Sequence, residues 1–191
     1  MKKFTKLAMS AAILTTFSSA SMAMSVGGWK LFPGVQDDFI FDPTLSVMAG
    51  QMIVSESVGK AALGAGLELS INCPMIQPPT NRVRQQISFF NYSSGTSTVN
   101  TVELNPHYVV EVMPKLEIGG GPGVGFVNAD VDGKTANMAA VQLGGSIHYR
   151  MSRFFIGAEG RYQWTTDGED NTASDNGVKN ARALVKIGFD F

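Results

Sequence analysis

Val185-Lys186-Ile187-Gly188-Phe189-Asp190-Phe191 closes the chain, and its apolar side chains occupy every second position. Successive side chains of a β-strand point to opposite faces, so this alternation separates an apolar face from a polar one. Lys186 and Asp190 share the polar face, and the apolar face ends on an aromatic residue. The stretch therefore predicts a strand that meets an apolar environment on one side only.

The same alternation recurs upstream in segments of about ten residues, separated by clusters of Gly, Pro, Ser, Asn and Asp. A strand that crosses a bilayer needs about 9–11 residues. We predict eight strands: Thr44–Val54, Ala62–Asn72, Arg82–Tyr92, Asn100–Val112, Leu116–Asn128, Asn137–Tyr149, Phe154–Thr165 and Asn180–Phe191. The even number of strands, joined by connections that mostly alternate between short and long, is typical of membrane barrels.

The N-terminus has the composition of a secretory signal peptide. Three lysines within the first six residues are followed by the mostly apolar stretch Leu7–Phe17 and by small residues up to Ala23. The apolar stretch is too short to span a bilayer. We predict a cleaved signal peptide over residues 1–23, a periplasmic N-terminal segment over residues 24–43 and a barrel over residues 44–191.

The composition argues against several other classes of protein. Cleavage would remove three of the 15 basic residues and no acidic one, which leaves a mild negative charge and no argument for nucleic acid. The single cysteine, Cys73, allows no intramolecular disulfide. After the signal peptide, no apolar run approaches the roughly 20 residues of a membrane helix.

Alternation alone does not tell which face meets lipid, because soluble lipid-carrying barrels have the same period. The polar face here pairs acids with bases, and lysine is nearly absent from the strand interiors, so we expect the polar face to line the lumen. The predicted lumen network is Glu68, Glu103, His107, Glu111, Glu117, His148, Glu159, Arg161, Arg182 and Lys186. Aromatic residues near strand ends favour the bilayer interface. These are Tyr108, Tyr149, Tyr162 and Trp164.

The final alternating stretch, ending in aromatic-x-Phe, resembles the C-terminal strand signal of bacterial outer-membrane β-barrels. The chain is similar to the small eight-stranded barrels that group with the OmpA transmembrane domain, the OmpW-like proteins and the opacity-type adhesins. The resemblance implies an all-β, eight-stranded antiparallel up-and-down transmembrane barrel in the outer membrane. It also implies contact with outer-membrane lipid and lipopolysaccharide, and assembly by the barrel-assembly machinery. The implied assembly signal is Val185, Ile187, Phe189 and Phe191.

Residues that could carry chemistry are few. His148 and Glu159 are similar in spacing to the His-x-Ser…Glu site of the lipid A 3-O-deacylases, but Arg150 stands where the serine belongs. Ser146 precedes His148 on the same strand face and leaves a lipid-modifying hydrolase as an alternative. His107 has acidic neighbours four residues away, about 13 Å along the strand and too far to share one ion. We predict no catalytic, cofactor or metal site, and no enzyme.

The leading hypothesis is a monomeric, non-enzymatic integral outer-membrane protein, with a structural role or a role in interactions through its loops. A narrow pore for small or hydrophobic solutes is the main alternative, because glycines in the second and fifth predicted strands would leave voids. An eight-stranded lumen is about filled by side chains, which argues against open flow. A soluble periplasmic lipid carrier is a further alternative.

Two prolines and a glycine run interrupt the predicted strands. Pro106 and Pro122 each remove a donor from the hydrogen-bond ladder. The run Gly119-Gly120-Gly121 lies next to Pro122 and predicts a bulge or a sharp bend of the barrel wall.

We predict that deletion of Phe191 prevents assembly, because the last strand would lose the end at which it is recognised. The deleted chain should be sensitive to protease and should lack the heat-modifiable mobility of a folded barrel on gels of isolated outer membranes. Heat-modifiable barrel at normal levels would contradict this assignment of the assembly signal.

Overall fold

The structure, a computed structural model, describes residues 24–54, 61–131, 133–166 and 179–191. The predicted signal peptide lies outside these ranges. In chain order the elements are β1 (Met24–Val26), β2 (Trp29–Leu31), a 3-10 helix (Pro33–Val35), β3 (Thr44–Val54), β4 (Ala62–Asn72), β5 (Ile76–Gln77), β6 (Arg82–Ser94), β7 (Ser97–Met113), β8 (Leu116–Val131), β9 (Lys134–Met151), β10 (Phe154–Thr165) and β11 (Lys179–Asp190).

Eight of these strands form a closed antiparallel barrel in the order β3, β4, β6, β7, β8, β9, β10, β11. The sheet closes where β11 pairs with β3, from Asp190 opposite Thr44 to Asn180 opposite Val54. The prediction of an all-β, eight-stranded antiparallel barrel is confirmed. We call the end where β3 begins and β11 ends the terminal end, and the opposite end the loop end.

The described part of the chain contains no helix whose length and apolar character would let it cross a membrane.

The outer face of the barrel carries a continuous apolar belt. Its side chains are exposed, and they include Leu45, Val47, Leu67, Leu69, Ile87, Phe89, Leu104, Ile118, Val124, Leu143, Ile147, Ile156, Val185 and Ile187. Along β9 the outward-facing residues from Ala139 to Tyr149 cover about 33 Å. A strand tilt of about 40° reduces this length to about 25 Å, the height of the apolar band on outer-membrane barrels.

The hairpins β6–β7 and β8–β9 extend beyond the predicted strand ends at the loop end. β6 continues to Ser94 and β7 starts at Ser97, while β8 continues to Val131 and β9 starts at Lys134. Here the polarity of the two faces inverts, since apolar side chains such as Tyr92 point inward. The strands are longer than predicted because their pairing continues into this region. Here the inner face is apolar and the outer face is polar.

Residues 24–43 are attached to the terminal end of the barrel. β1 and β2 form a hairpin whose turn residues Gly27 and Gly28 have φ values of 59° and 83°, which glycine adopts without strain. β2 also pairs with β5, in the connection between β4 and β6. Farther on, Asn72 N donates to Phe41 O at 2.7 Å. The segment therefore packs against the barrel rim.

Of the bulge or sharp bend predicted at Gly119–Gly121, the bulge is wrong. The register is constant across this region, with Leu104 opposite Val124 and Tyr108 opposite Gly120. This register sets the two strand prolines opposite each other, so both missing donors fall at one level of the ladder. The register shift lies instead between Glu111 and Met113, at the end of β7.

We predict that Ala158→Arg lowers the free energy of unfolding by about 2–4 kcal/mol, because Ala158 is exposed near the middle of β10, within the apolar belt. Urea titration of the protein refolded in lipid vesicles measures the effect. Ala158→Leu is the matched control and should change the stability little. If Ala158→Leu lowered the free energy of unfolding as much as Ala158→Arg, side-chain size would cause the loss, and contact between the charge and lipid would not.

Candidate functional site in the barrel lumen

Arg161 is the central side chain of the lumen. It extends from β10 and reaches residues on the opposite wall, with its Nη2 2.7 Å from Glu68 Oε2 and its Nη1 2.5 Å from Glu103 Oε2. Its Nε also contacts Glu159 on its own strand, and its Nη1 donates to Ser88 Oγ at 2.8 Å. One guanidinium thereby binds three carboxylates from three strands, and its planar array of donors is suited to such multiple contacts.

Two further cations complete this level of the lumen. Lys186 Nζ lies 2.8 Å from both carboxylate oxygens of Glu68 and also contacts Glu159. Arg182 Nη2 lies 2.5 Å from Glu103 Oε1. We call this set the central layer: Glu68, Glu103, Glu159, Arg161, Arg182 and Lys186. Its three acids and three bases are all buried, and their formal charges balance.

A second set of ion pairs lies nearer the terminal end. Arg82 Nη2 is 2.5 Å from Glu117 Oε1, and Glu117 Oε2 is 2.8 Å from Arg150 Nε. Arg150 Nη1 is in turn 2.5 Å from Asp190 Oδ2. These contacts connect β6, β8, β9 and β11 across the mouth of the barrel.

Thr44, Arg84 and Asp42 close this chain of contacts into a ring. Thr44 Oγ1 donates to Asp190 Oδ1 at 2.7 Å and accepts from Arg84 Nη2 at 2.8 Å. Asp42 Oδ2 lies 2.7 Å from Arg84 Nη1 and 3.2 Å from Arg82 Nη1. We call the complete set the terminal ring: Asp42, Thr44, Arg82, Arg84, Glu117, Arg150 and Asp190. It also holds three acids and three bases.

Glu111 does not join the lumen network, contrary to its prediction. It has the parity of the inward residues of β7, but its side chain is exposed at the strand end. Glu111 Oε1 accepts a hydrogen bond from Lys115 N at 3.1 Å across the tight turn to β8. The register shift beside it releases the end of β7 from the regular alternation.

The other predicted lumen residues all point inward. The structure places Glu68, Glu103, Glu117, Glu159, Arg161, Arg182 and Lys186 in the two charged sets, and it buries His107 and His148 as well. Asp42 belongs to the terminal ring although it precedes the first barrel strand. Its φ of 48° turns the chain toward the lumen, which alternation cannot indicate because the residue is outside a strand.

The upper lumen, toward the loop end, is apolar. It contains a buried cluster: Met48, Met52, Phe90, Tyr92, Val99, Val127, Ala129, Ala136, Met138, Ala140 and Leu184. The prediction of a polar interior is wrong at this level of the lumen, and it does not include this cluster. The sequence does indicate the cluster. Toward the loop end of β6–β9, the polar residues occupy the outward positions of the alternation and the apolar residues occupy the inward ones.

An asparagine ladder marks that change of phase on the outer surface. Asn91, Asn100, Asn128 and Asn137 stand opposite one another across β6, β7, β8 and β9. Asn91 Nδ2 donates to Asn100 Oδ1 at 2.7 Å, and Asn128 Nδ2 donates to Asn137 Oδ1 at 2.8 Å. Polar side chains thus replace the apolar belt on the outside at the level where apolar side chains fill the inside.

Glycines on the inner face of β8 make room for a side chain at Gly123 and for the backbone of β7 at Gly121. A Cβ on Gly123 would lie 1.7 Å from Asn105 Oδ1, and one on Gly121 would lie 2.0 Å from Pro106 O. Asn105 Oδ1 itself accepts a hydrogen bond from Gln142 Nε2. The spaces that the glycines leave are therefore occupied.

The predicted assembly-signal and interface residues lie on the outer face. Val185, Ile187 and Phe191 are exposed, and the rings of Phe189 and Phe191 pack edge to face at 5.3 Å. The interface aromatics lie at both ends of the belt. Tyr108 and Tyr149 are toward the terminal end, and Tyr162 and Trp164 are toward the loop end.

Neither a protein-family model nor a curated protein sequence matches the chain. Solved structures do. Neisserial surface protein A is similar with a TM-score of 0.59 at 14% identity, covering 78% of this chain and 97% of that one. The N-terminal β-barrel domain of Pseudomonas aeruginosa OprF gives a TM-score of 0.54 at 17% identity, with 78% and 97% coverage.

The attachment invasion locus protein Ail of Yersinia pestis, in complex with the heparin analogue sucrose octasulfate, gives a TM-score of 0.54 at 15% identity. The match covers 80% of this chain and all of that one. The chain has the fold of the small outer-membrane barrels. Identities this low show the architecture alone, so the role of this barrel has to be argued from its own residues.

The residues of the alternative hydrolase site do not form a catalytic arrangement. Ser146 Oγ and His148 Nε2 are buried and have no hydrogen-bond partner among the described residues, and Glu159 is bound by Arg161 and Lys186. In the described ranges, no three His, Cys, Asp or Glu side chains come close enough to hold a metal ion.

We predict that Arg161→Ala lowers the free energy of unfolding by about 3–5 kcal/mol, because it leaves buried carboxylates short of a partner. Arg153→Ala is the control, since Arg153 is exposed and forms no ion pair within the described ranges. That variant should stay within about 0.5 kcal/mol of the unmodified protein. Equal losses in urea titrations of the two variants would contradict the central role of Arg161.

Proposed function

We propose that the protein is an integral outer-membrane barrel that is closed to flow and has a structural role or a role in interactions through its loops. The observation that carries the proposal is the occupied lumen, in which two charge-balanced layers are stacked between the terminal end and an apolar cluster. The apolar belt supports the membrane location, since only closed barrels and helices satisfy their backbone groups in lipid.

In this proposal the terminal end faces the periplasm and the loop end faces outward. Residues 24–43 then form a periplasmic rim, and the asparagine ladder lies at the outer edge of the membrane. The surroundings are outer-membrane lipid and lipopolysaccharide, and the barrel-assembly machinery inserts the chain as a monomer after cleavage of the signal peptide.

The packing of the lumen disfavours the narrow-pore alternative. Between the two charged layers, a cavity bordered by Glu68, Arg84 and His148 has a volume of about 20 Å³. This is room for about one water molecule. Among the glycines that suggested voids, a Cβ added at Gly64, Gly66 or Gly123 would overlap a side chain of a neighbouring strand. Ion pairs joining opposite walls would have to separate before a solute could pass.

The same packing supports a non-enzymatic role. A hydrolase of this kind would need Ser146 within hydrogen-bond reach of a base. Within the part of the chain that the structure describes, the serine has no such partner, and the carboxylate that would orient His148 is held by two cations.

We predict that the unmodified protein shows no steady conductance in planar bilayers at physiological salt. Arg182→Ala should produce a cation-selective leak, because water enters and Glu103 loses one of its two cationic partners. Arg153→Ala, which removes an exposed arginine, should remain silent. Steady current from the unmodified protein would overturn the closed-barrel proposal and favour the pore.

A further inference from the structure

A cleft of about 550 Å³ opens at the terminal end, between residues 24–43 and the connection from β4 to β6. Its floor includes proline rings, and its rim carries both polar and apolar groups. The residues that line it include Lys30, Asp38, Phe39, Ile40 and Asn72. Among the residues of the central layer and the terminal ring, only Arg82 lines this cleft.

The cleft presents one unpaired charge of each sign. Lys30 and Asp38 both line it, and both are exposed. Neither forms an ion pair with the other or with another residue of the described ranges. Arg82 also lines the cleft, but its guanidinium is already bound by Asp42 and Glu117. A ligand with separated positive and negative groups would complement Lys30 and Asp38 together.

Asn72 lines the cleft and joins residues 24–43 to the end of β4. Asn72 is fixed by two hydrogen bonds, from its N to Phe41 O at 2.7 Å and from its Nδ2 to Ile40 O at 2.9 Å. These two bonds fix the backbone of Ile40 and Phe41 to the end of β4, at one side of the cleft.

Apolar surface leads from the cleft to the belt. Ile40 is 73% exposed and Phe41 is 49% exposed. Both are hydrogen-bonded to Asn72 at the end of β4, next to the outward-facing Ile71 and Leu69. The apolar belt is therefore continuous with one side of the cleft. A ligand with a polar head and apolar chains matches this arrangement.

We propose that this cleft binds the headgroup of a phospholipid that carries a phosphate and a primary ammonium, as ethanolamine phospholipids do. Lys30 contacts the phosphate, and Asp38 accepts hydrogen bonds from the ammonium. The acyl chains lie along Ile40 and Phe41. The inference rests on the proposed membrane location, which sets the terminal end at the periplasmic leaflet.

Trp29 provides a reporter, because it precedes Lys30 in β2 and the chain has only one other tryptophan, Trp164. The full protein with Trp164→Phe is refolded in a maltoside detergent and titrated with dihexanoyl phosphatidylethanolamine. The comparison ligands are dihexanoyl phosphatidylcholine, glycerophosphoethanolamine and inorganic phosphate. We expect saturable binding of the ethanolamine lipid, about tenfold tighter than the choline lipid, whose ammonium has no N–H donor.

Lys30→Glu and Asp38→Lys should each weaken that binding about tenfold or more, while the control Lys134→Glu leaves it unchanged. Lys30→Gln and Asp38→Asn test the same contacts without reversing a charge. Equal affinity for both lipids, binding of inorganic phosphate as tight as that of the lipid, or no effect of the variants would overturn the proposal. Heat-modifiable mobility is checked on every sample. A heat-modifiable barrel that does not bind refutes the cleft alone, whereas loss of the barrel from lipid refutes the proposed function.

Discussion

Closure of the sheet by β11 and β3 is the constraint on which the rest of this structure depends. Backbone groups exposed to lipid have no water to bond, so a sheet in a membrane must pair both of its edges. Closure with eight strands creates an interior that is narrow enough to be filled by side chains. Whatever points inward must then find its partners inside. The contacts of the lumen follow from this requirement.

Charged residues meet the requirement by balancing at each level. The central layer sets Glu68, Glu103 and Glu159 against Arg161, Arg182 and Lys186, and the terminal ring repeats the ratio with different residues. A buried charge without a partner is costly, so each layer acts as a unit whose members depend on one another. The inward glycines of β8 contribute to this packing, because side chains of β7 and β9 occupy the space that a Cβ would need.

The inversion of polarity along β6–β9 divides the barrel into two environments. In the belt, apolar residues face outward and charges face inward, as suits lipid. From the asparagine ladder onward, Tyr92 and Val99 are buried inside while Asn91, Thr135 and Asn137 are exposed on the outside, as in a barrel surrounded by water. The upper cluster packs as an ordinary apolar core, and it closes the lumen at the end opposite the terminal ring.

Alternation in the sequence was sufficient to predict the eight barrel strands and the inward direction of Arg161 and Lys186, because period two is a property of each strand alone. It failed where a residue left the regular strand, as Glu111 and Asp42 do, and where the polarity changed phase in β6. The choice of ion-pair partners was set by the tertiary structure, since Lys186 and Glu68 are 118 residues apart and meet only after the barrel closes. The cleft beside Asn72 likewise arises only when residues 24–43 pack against the rim. The sequence by itself thus determined which side chains face inward and which outward along the regular strands, and the closed barrel determined which of the inward groups meet, because contact across a lumen depends on strand order and register.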